Sequence, residues 1–364
     1  MPKRFPTRLL SLSLVLAGLG TIAWQAWSWW DWAASPLNQE ITAEAKPLNL
    51  NIPPGTSAQE IGQDLETLGL IRSAQAWNLW SRWLMFKDAD GGFQAGTYQL
   101  SKTQSMPDIA AQIWAGDVAQ ASFTIPEGWA IRDMAQYFEQ EGYFSAQEFI
   151  AAINQVSTAA YPWLPNPPQI EGFPRLEGYL FPDTYQIPVG ASIQPEFVIK
   201  QMLDRFEQVA LPIYQQHQGK TTLNLAEWVT LASLVEKESV VPTERQRISG
   251  VFHNRLRLQM PLASDPTVEY AFGITQTPDT PLTYRQVEMP SPYNTYVNVG
   301  LPPAPIASPG KASLEATLTP EATDYLYFVA RYDGTHVFSR TLAEHQAAQD
   351  AIHDRRESAK PDTQ

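Results

Sequence analysis

The sequence predicts a mixed α+β protein anchored by an N-terminal transmembrane helix. Three observations carry that prediction. An uncharged run from Leu9 to Trp30 opens the chain behind Lys3, Arg4 and Arg8. Short segments with a two-residue apolar period then alternate with segments of helical period that bring their own capping residues. Finally, 364 residues with 44% hydrophobic content are enough for two or three domains with full cores.

Composition removes several function classes. The absence of Cys excludes disulfide frameworks, thiolate zinc sites, cysteine nucleophiles and acylated-cysteine anchors. With 25 Lys and Arg against 38 Asp and Glu, the net charge of −13 argues against a general nucleic-acid binder, which must neutralise phosphates. The five His lack the i, i+4 spacing of a zinc helix. Gly219-Lys220-Thr221 lacks the first glycine of a phosphate loop, because position 214 is Tyr. Ser308 to Lys311 spells S-x-x-K, but Pro309 and Gly310 deny it a helix and no K-T-G follows. No cofactor or metal is expected.

Along the chain, Leu9–Trp30 matches the ~20 residues that cross a bilayer. The preceding cations keep residues 1–8 cytoplasmic and export the rest, with Trp24, Trp27, Trp29 and Trp30 at the outer interface. A cleaved signal peptide shares this pattern, but four Trp stand where small residues should mark cleavage. Residues 31–46 read as a tether. Leu48, Leu50 and Ile52 alternate with Asn as a strand, and Ser57 with Glu60 forms a capping box for a helix carrying Ile61, Leu65 and Leu68 and closed by Gly69. A second helix fits Ala74 to Phe86 and a second strand Gly96 to Leu100. This strand-helix-helix-strand order resembles a LysM-type glycan-binding module, expected over 47–122.

The chain partly repeats. Ile52, Pro53, Gly55, Gln63, Leu65 and Gly69 return 73 positions later as Ile125, Pro126, Gly128, Gln136, Phe138 and Gly142, and each copy is followed by Ser-Ala-Gln. The copies share no obvious chemistry, so the repeat is structural. The stretch from Tyr161 to Pro174 has too many prolines for a helix or a central strand and reads as a boundary or shaped loop.

The best chemical constellation starts at Asn224, which forms a capping box with Glu227 ahead of a helix to Glu238. At 100° per residue Leu231, Leu234 and Glu238 fall within about 40° of each other. A carboxyl on that apolar stripe is desolvated and stays protonated near neutral pH, as a general acid must. Glu236 lies about 200° away and reads as an ordinary solvated charge. The alternative for Glu238 is a helix end paired with a nearby cation.

Leu231–Ser239 (LASLVEKES), Glu244-Arg245, Val251–Leu256 (VFHNRL), Asp265–Val268 (DPTV), Ser291–Val297 (SPYNTYV), Gly300–Gly310 (GLPPAPIASPG), Tyr325–Ala330 (YLYFVA) and His336–Phe338 closely resemble the signature of the endolytic murein transglycosylase family, also called YceG-like. Phe93–Tyr98 (FQAGTY) and Glu177–Tyr185 (EGYLFPDTY) extend the likeness, which runs from about residue 48 to 348. The resemblance implies a lyase acting on peptidoglycan glycan strands. It would cut internally between N-acetylmuramic acid and N-acetylglucosamine, leave 1,6-anhydromuramyl ends, and limit strand length near the membrane-bound peptidoglycan synthases. It also implies that the second Glu of E-K-E, here Glu238, is the catalytic acid, the residue that the helical face selects on its own. Ser239 stands where many relatives have Thr and keeps the hydroxyl. Asp265, Tyr293, Asn294 and Tyr296 are candidates for lining the cleft, each with a turn or cap role as the alternative. Asn254 and Arg255 are candidates for substrate contact or for pairing with Glu236 and Glu244, and Arg257 for pairing alone. The loop Gly300–Gly310, with four prolines, is expected to wall the cleft and exclude water. The catalytic domain is expected over 123–350 with a tail from 351 to 364. A hydrolytic muramidase and a non-catalytic wall-binding scaffold are the competing readings.

Overall fold

The computed structural model describes residues 7–38, 47–165, 170–189, 193–277 and 280–359, with side chains described from Gly18 onward except at positions 158, 357 and 359. The chain divides into two compact units, Met1–Ser122 with Gln186–Ser192, and Phe123–Tyr185 with Ile193–Gln364. Among the described residues the architecture is α+β, with helices and three two-stranded sheets.

In the first unit α1 (Thr7–Ala34) is followed by β1 (Leu48–Ile52), α2 (Ala58–Thr67), α3 (Ala74–Lys87), β2 (Gly96–Leu100) and α4 (Met106–Ala115). β1 and β2 pair antiparallel, Leu48 opposite Leu100 and Ile52 opposite Gly96. The Ser57–Glu60 capping box forms as expected. Leu50, Ile61, Leu65, Trp77 and Tyr98 share one core with Ile109 and Ile113 of α4. The expected four-element order is therefore present, but α4 and the end of α1 complete its core, and a likeness to LysM does not follow from the order alone.

At the N-terminus the helix forms as expected, and the tether boundary needs correction. α1 contains the whole run Leu9–Trp30, yet among the described residues no helix is long and apolar enough to cross a membrane. The described side chains cover the Trp-rich end of the run, whereas the aliphatic stretch before Gly18 lies outside them. The tether is shorter than expected, because α1 continues to Ala34 and Ala33 is fully buried beside α3. Arg72 then donates to the Pro36 carbonyl at 2.8 Å, and residues 39–46 lie outside the described residues.

β3 (Gln120–Thr124) pairs with β4 (Thr184–Pro188), and the division between the units falls within these strands. The second unit continues with α5 (Ile131–Gln140), α6 (Ala146–Gln155), α7 (Pro195–His217), α8 (Leu225–Glu238), α9 (Arg245–Arg257), α10 (Asp265–Phe272), α11 (Tyr284–Val287), α12 (Lys311–Leu318), the antiparallel pair β5 (Tyr327–Ala330) and β6 (His336–Ser339), and α13 (Leu342–Ala359). α13 thus carries helix through the expected tail boundary at 351.

The repeat has a physical basis. Gly55 and Gly128 both have positive φ in the turn before a helix, Gly69 and Gly142 both have positive φ after it, and Ser73 and Ser145 both cap the next helix. What recurs is a set of backbone conformations that favour glycine and a hydroxyl cap.

α8 is the centre of the second unit. Its N-cap Asn224 accepts from Glu227 N while Glu227 accepts from Asn224 N. Every residue from Trp228 to Val235 is buried, so the helix is covered on all sides rather than along one stripe. Leu231 and Leu234 join Ile248 and Phe252 of α9, Tyr270 of α10 and Tyr293. On the other side lies the loop Gly300–Gly310, which is buried almost throughout, and none of its residues lines the cleft that holds Glu238. Ile306 N donates to Ser233 Oγ, Ser308 N to the Trp129 carbonyl, and Gly310 N to Glu236 Oε2, each within 3.0 Å. Glu236 is accordingly half-buried and bonded, not solvated.

Candidate active site

Glu238 ends α8 in the wall of a cleft of about 670 Å³. α9 contributes Arg255, α10 contributes Asp265 and Glu269, and Tyr296 and Tyr327 add to the polar wall around the acid. His345 of α13 lines the cleft as well.

The acid is held by one short hydrogen bond, from Ser264 Oγ to Glu238 Oε1 at 2.6 Å. Ser264 occupies the N-cap position of α10, where a serine ordinarily gives its oxygen to the helix amides. Here it makes no such cap. A mesh of hydroxyls positions it instead. Its N–H donates to Thr295 Oγ1 at 3.0 Å, its carbonyl accepts from Thr267 Oγ1 at 2.6 Å, and the two threonine hydroxyls lie 2.9 Å apart. The preceding Ala263 has φ of +45°, a conformation that costs a side-chain-bearing residue about 1–3 kcal/mol and tends to persist at functional sites.

Burial pushes the Glu238 carboxyl up to about 7, helped by the negative Asp265 and Glu269, while the Ser264 hydrogen bond and Arg255 pull the other way. A carboxyl with this setting exchanges a proton near neutrality, the working condition of a general acid or base. Asp265 accepts from the Tyr296 hydroxyl at 2.5 Å. Burial beside Asp265 raises Tyr296, which therefore remains a neutral donor. Arg255 is buried and committed to carbonyls, donating to Leu326 and Leu262 at 2.6 Å.

Of the residues singled out from the sequence, the fold brings Glu238, Asp265, Tyr296 and Arg255 together. Four others stand elsewhere. Asn254 donates to the Thr323 and Tyr325 carbonyls, tying down that segment. Tyr293 is buried against Phe173 and Tyr270. Asn294 is fully buried, donating to the Val287 and Met289 carbonyls and accepting from Tyr296 N, which is the turn role weighed for it. Arg257 reaches Asn254 Oδ1 rather than Glu236 or Glu244. Glu244 instead accepts from His336 Nδ1 at 2.8 Å.

Sequence reasoning missed Ser264 and Glu269. It also missed Glu177, a fully buried carboxyl that accepts from Ile131 N at 3.0 Å and from the Tyr270 hydroxyl at 2.9 Å. Burial raises its pKa to about 8. Ala130 at the N-cap of α5 has no side chain to cap with, so Glu177 supplies the missing oxygen from 46 residues away.

The comparisons with known proteins bear on this whole arrangement. An endolytic murein transglycosylase of Bacillus subtilis is 36% identical over 311 residues, covering 83% of this chain and 84% of that protein. One from Streptococcus pneumoniae serotype 2 is 33% identical over 332 residues, and the match spans 82% of this chain but 58% of that longer relative. The crystal structure of a yceG-like protein from Listeria monocytogenes superposes with a TM-score of 0.56 at 32% identity, covering 84% of this chain and 99% of that one. The sequence model of the YceG-like family matches residues 50–351, a span that includes Glu238, its Ser264 donor and the cleft around them. The chain belongs to the YceG-like family.

Proposed function

We propose that this chain is an endolytic lytic transglycosylase of peptidoglycan, with Glu238 as general acid and then base. The observation that carries the reading is a single carboxyl, set near neutrality, at the end of a buried helix and open to a cleft. Relatives across most of the chain carry the same enzyme name.

One carboxyl suffices because the substrate supplies the nucleophile. Protonated Glu238 gives its proton to the glycosidic oxygen as the bond from that oxygen to the anomeric carbon breaks. The C6 hydroxyl of the same muramyl residue closes onto the anomeric carbon, and its proton passes to the Glu238 carboxylate. No water is consumed and the acid is regenerated. Holding the nucleophile in the substrate also avoids the entropy of recruiting a second reactant. A glycosidase that uses water ordinarily needs two carboxyls. Of the other two cleft carboxylates, Asp265 is engaged with the Tyr296 hydroxyl and Glu269 accepts from Gln276 N at 2.8 Å. In this reading Ser264 fixes Oε1 and leaves Oε2 for the substrate. Asp265 and Glu269 add negative charge that supports the oxocarbenium-like centre.

The same reading places residues 9–30 across the membrane with the N-terminus in the cytoplasm and the catalytic unit outside, near nascent strands and the synthases that make them. Its support is the uncharged run behind three cations and the continuous α1. The LysM-like assignment of the 47–122 segment rests on the order and antiparallel pairing of β1 and β2 around α2 and α3.

Mass analysis of glycan digested by the full chain tests the function. Internal fragments ending in anhydromuramic acid are expected. Fragments heavier by one water would mean a muramidase, and intact strands would mean a binding scaffold.

A further inference from the structure

In the first unit, α3 presents an apolar face that nothing described in the protein covers. Leu79, Trp83 and Phe86 are 53%, 44% and 88% exposed. At about 100° per residue they fall within about 60° of one another, so they form one ridge along the helix. Arg82 flanks the ridge on one side and Lys87 on the other, both exposed. The Lys87 ammonium lies 5.2 Å from the centre of the Trp83 ring.

The ridge is continuous with α1. Trp83 stacks on Trp80 at 4.5 Å between centroids, and Trp80 meets Trp30 at 5.7 Å. Trp24 and Trp27, about two turns and one turn earlier on α1, are 70% and 73% exposed. An exposed aromatic surface of this extent calls for a partner.

Charge identifies its chemistry. Between its caps α3 has no acidic residue and carries two cations, with Asp88 following as its C-cap, within a chain whose net charge is −13. A ridge of Leu, Trp and Phe bordered by Lys and Arg fits the boundary of an anionic lipid leaflet, where rings sit at headgroup level and long cations reach the phosphates.

We propose that α3 lies on the lipid surface, with Leu79, Trp83 and Phe86 in the headgroup–acyl boundary of an anionic leaflet. This contact would dock the first unit on the bilayer beside α1 instead of leaving it on a free tether. It depends on α1 only through the Trp30 contact, so it stands apart from the catalytic reading.

The cysteine-free chain makes the test direct, since Phe86→Cys creates a unique labelling site. The full chain carrying a nitroxide at position 86 is reconstituted in vesicles of equal parts phosphatidylcholine and phosphatidylglycerol. Accessibility to oxygen and to a water-soluble nickel chelate is then compared with a label at Gln63→Cys, an exposed site on α2. The expected oxygen-to-nickel ratio at position 86 exceeds that at position 63 by about threefold or more. Adding Arg82→Glu and Lys87→Glu is expected to lower it. Equal ratios at the two sites would overturn the proposal. So would protection of position 86 from both reagents that deepens as the protein-to-lipid ratio rises, since that would mean cover by a second copy. Glycan cleavage by the same preparations reports separately on the catalytic reading.

Discussion

At the residue scale, the account turns on why Glu238 holds a proton near neutrality. Desolvation raises its carboxyl from an ordinary 4.5 to about 7, and the Ser264 hydroxyl opposes that rise. Ser264→Ala therefore moves the alkaline limb of the pH–rate profile upward. It also slows the reaction by about tenfold, the worth of one hydrogen bond to a charged group. A residue with a purely structural role would not move the limb. The raised pKa has a second consequence. Between pH 4.5 and about 7 the native protein keeps a proton that the unfolded chain loses, so stability falls as pH rises through that window and stays lower above it. At 1.36 kcal/mol per unit, and discounting for the half-buried side chain, the deficit is about 1–3 kcal/mol. Glu238→Gln should accordingly melt higher than the native protein at pH 8 and with it at pH 4, as measured by calorimetry. Glu238 was legible because helical spacing alone put it on the side of Leu231 and Leu234. Ser264 was not, because a serine ahead of Asp-Pro reads as a helix cap, and only the fold reveals that its hydroxyl turns to a residue 26 positions away.

At the element scale, capped helices and short strands were legible almost to the residue, including α8 with its Asn224–Glu227 box and the paired strands β1 and β2. Local chemistry decides such features. The misread elements were those decided by what packs against them. The loop Gly300–Gly310 looks like surface by composition, yet its four prolines carry no N–H to satisfy, and Ser233, Trp129 and Glu236 accept from three of its amides. Burial of that loop is also why the face of α8 opposite Glu238 is not solvent. For Asn254 and Asn294 the sequence leaves substrate contact and a structural role both open, because an amide that bonds two carbonyls across a turn has the same sequence appearance as one that bonds a sugar. The buried Glu177 joins two elements, the start of α5 and Tyr270 of α10. Glu177→Leu removes that cap and strands a buried hydroxyl, so a loss of about 2–4 kcal/mol in denaturant unfolding is expected. Because Tyr270 lies on the helix that begins at Asp265, activity should fall as well.

At the scale of the whole molecule, three properties visible in the composition find physical meaning. The absence of Cys is compatible with an exported enzyme whose chemistry needs no thiol. The charge of −13 leaves the acid-free, cationic α3 as the feature of the first unit suited to an anionic surface. The length resolves into two compact units, with Glu238, its donor Ser264 and the cleft all inside the second. The central claim is that one carboxyl performs both proton transfers, and a paired substitution in the full-length protein tests it. Release of anhydromuramyl ends from glycan strands is measured for Glu238→Gln and for Glu236→Gln, which changes the adjacent carboxyl of the same helix while keeping an acceptor for Gly310 N. The account predicts that Glu238→Gln loses activity by about 100-fold or more while remaining folded, and that Glu236→Gln stays within about twofold of the native rate. Release of anhydromuramyl ends at the native rate by Glu238→Gln would contradict it.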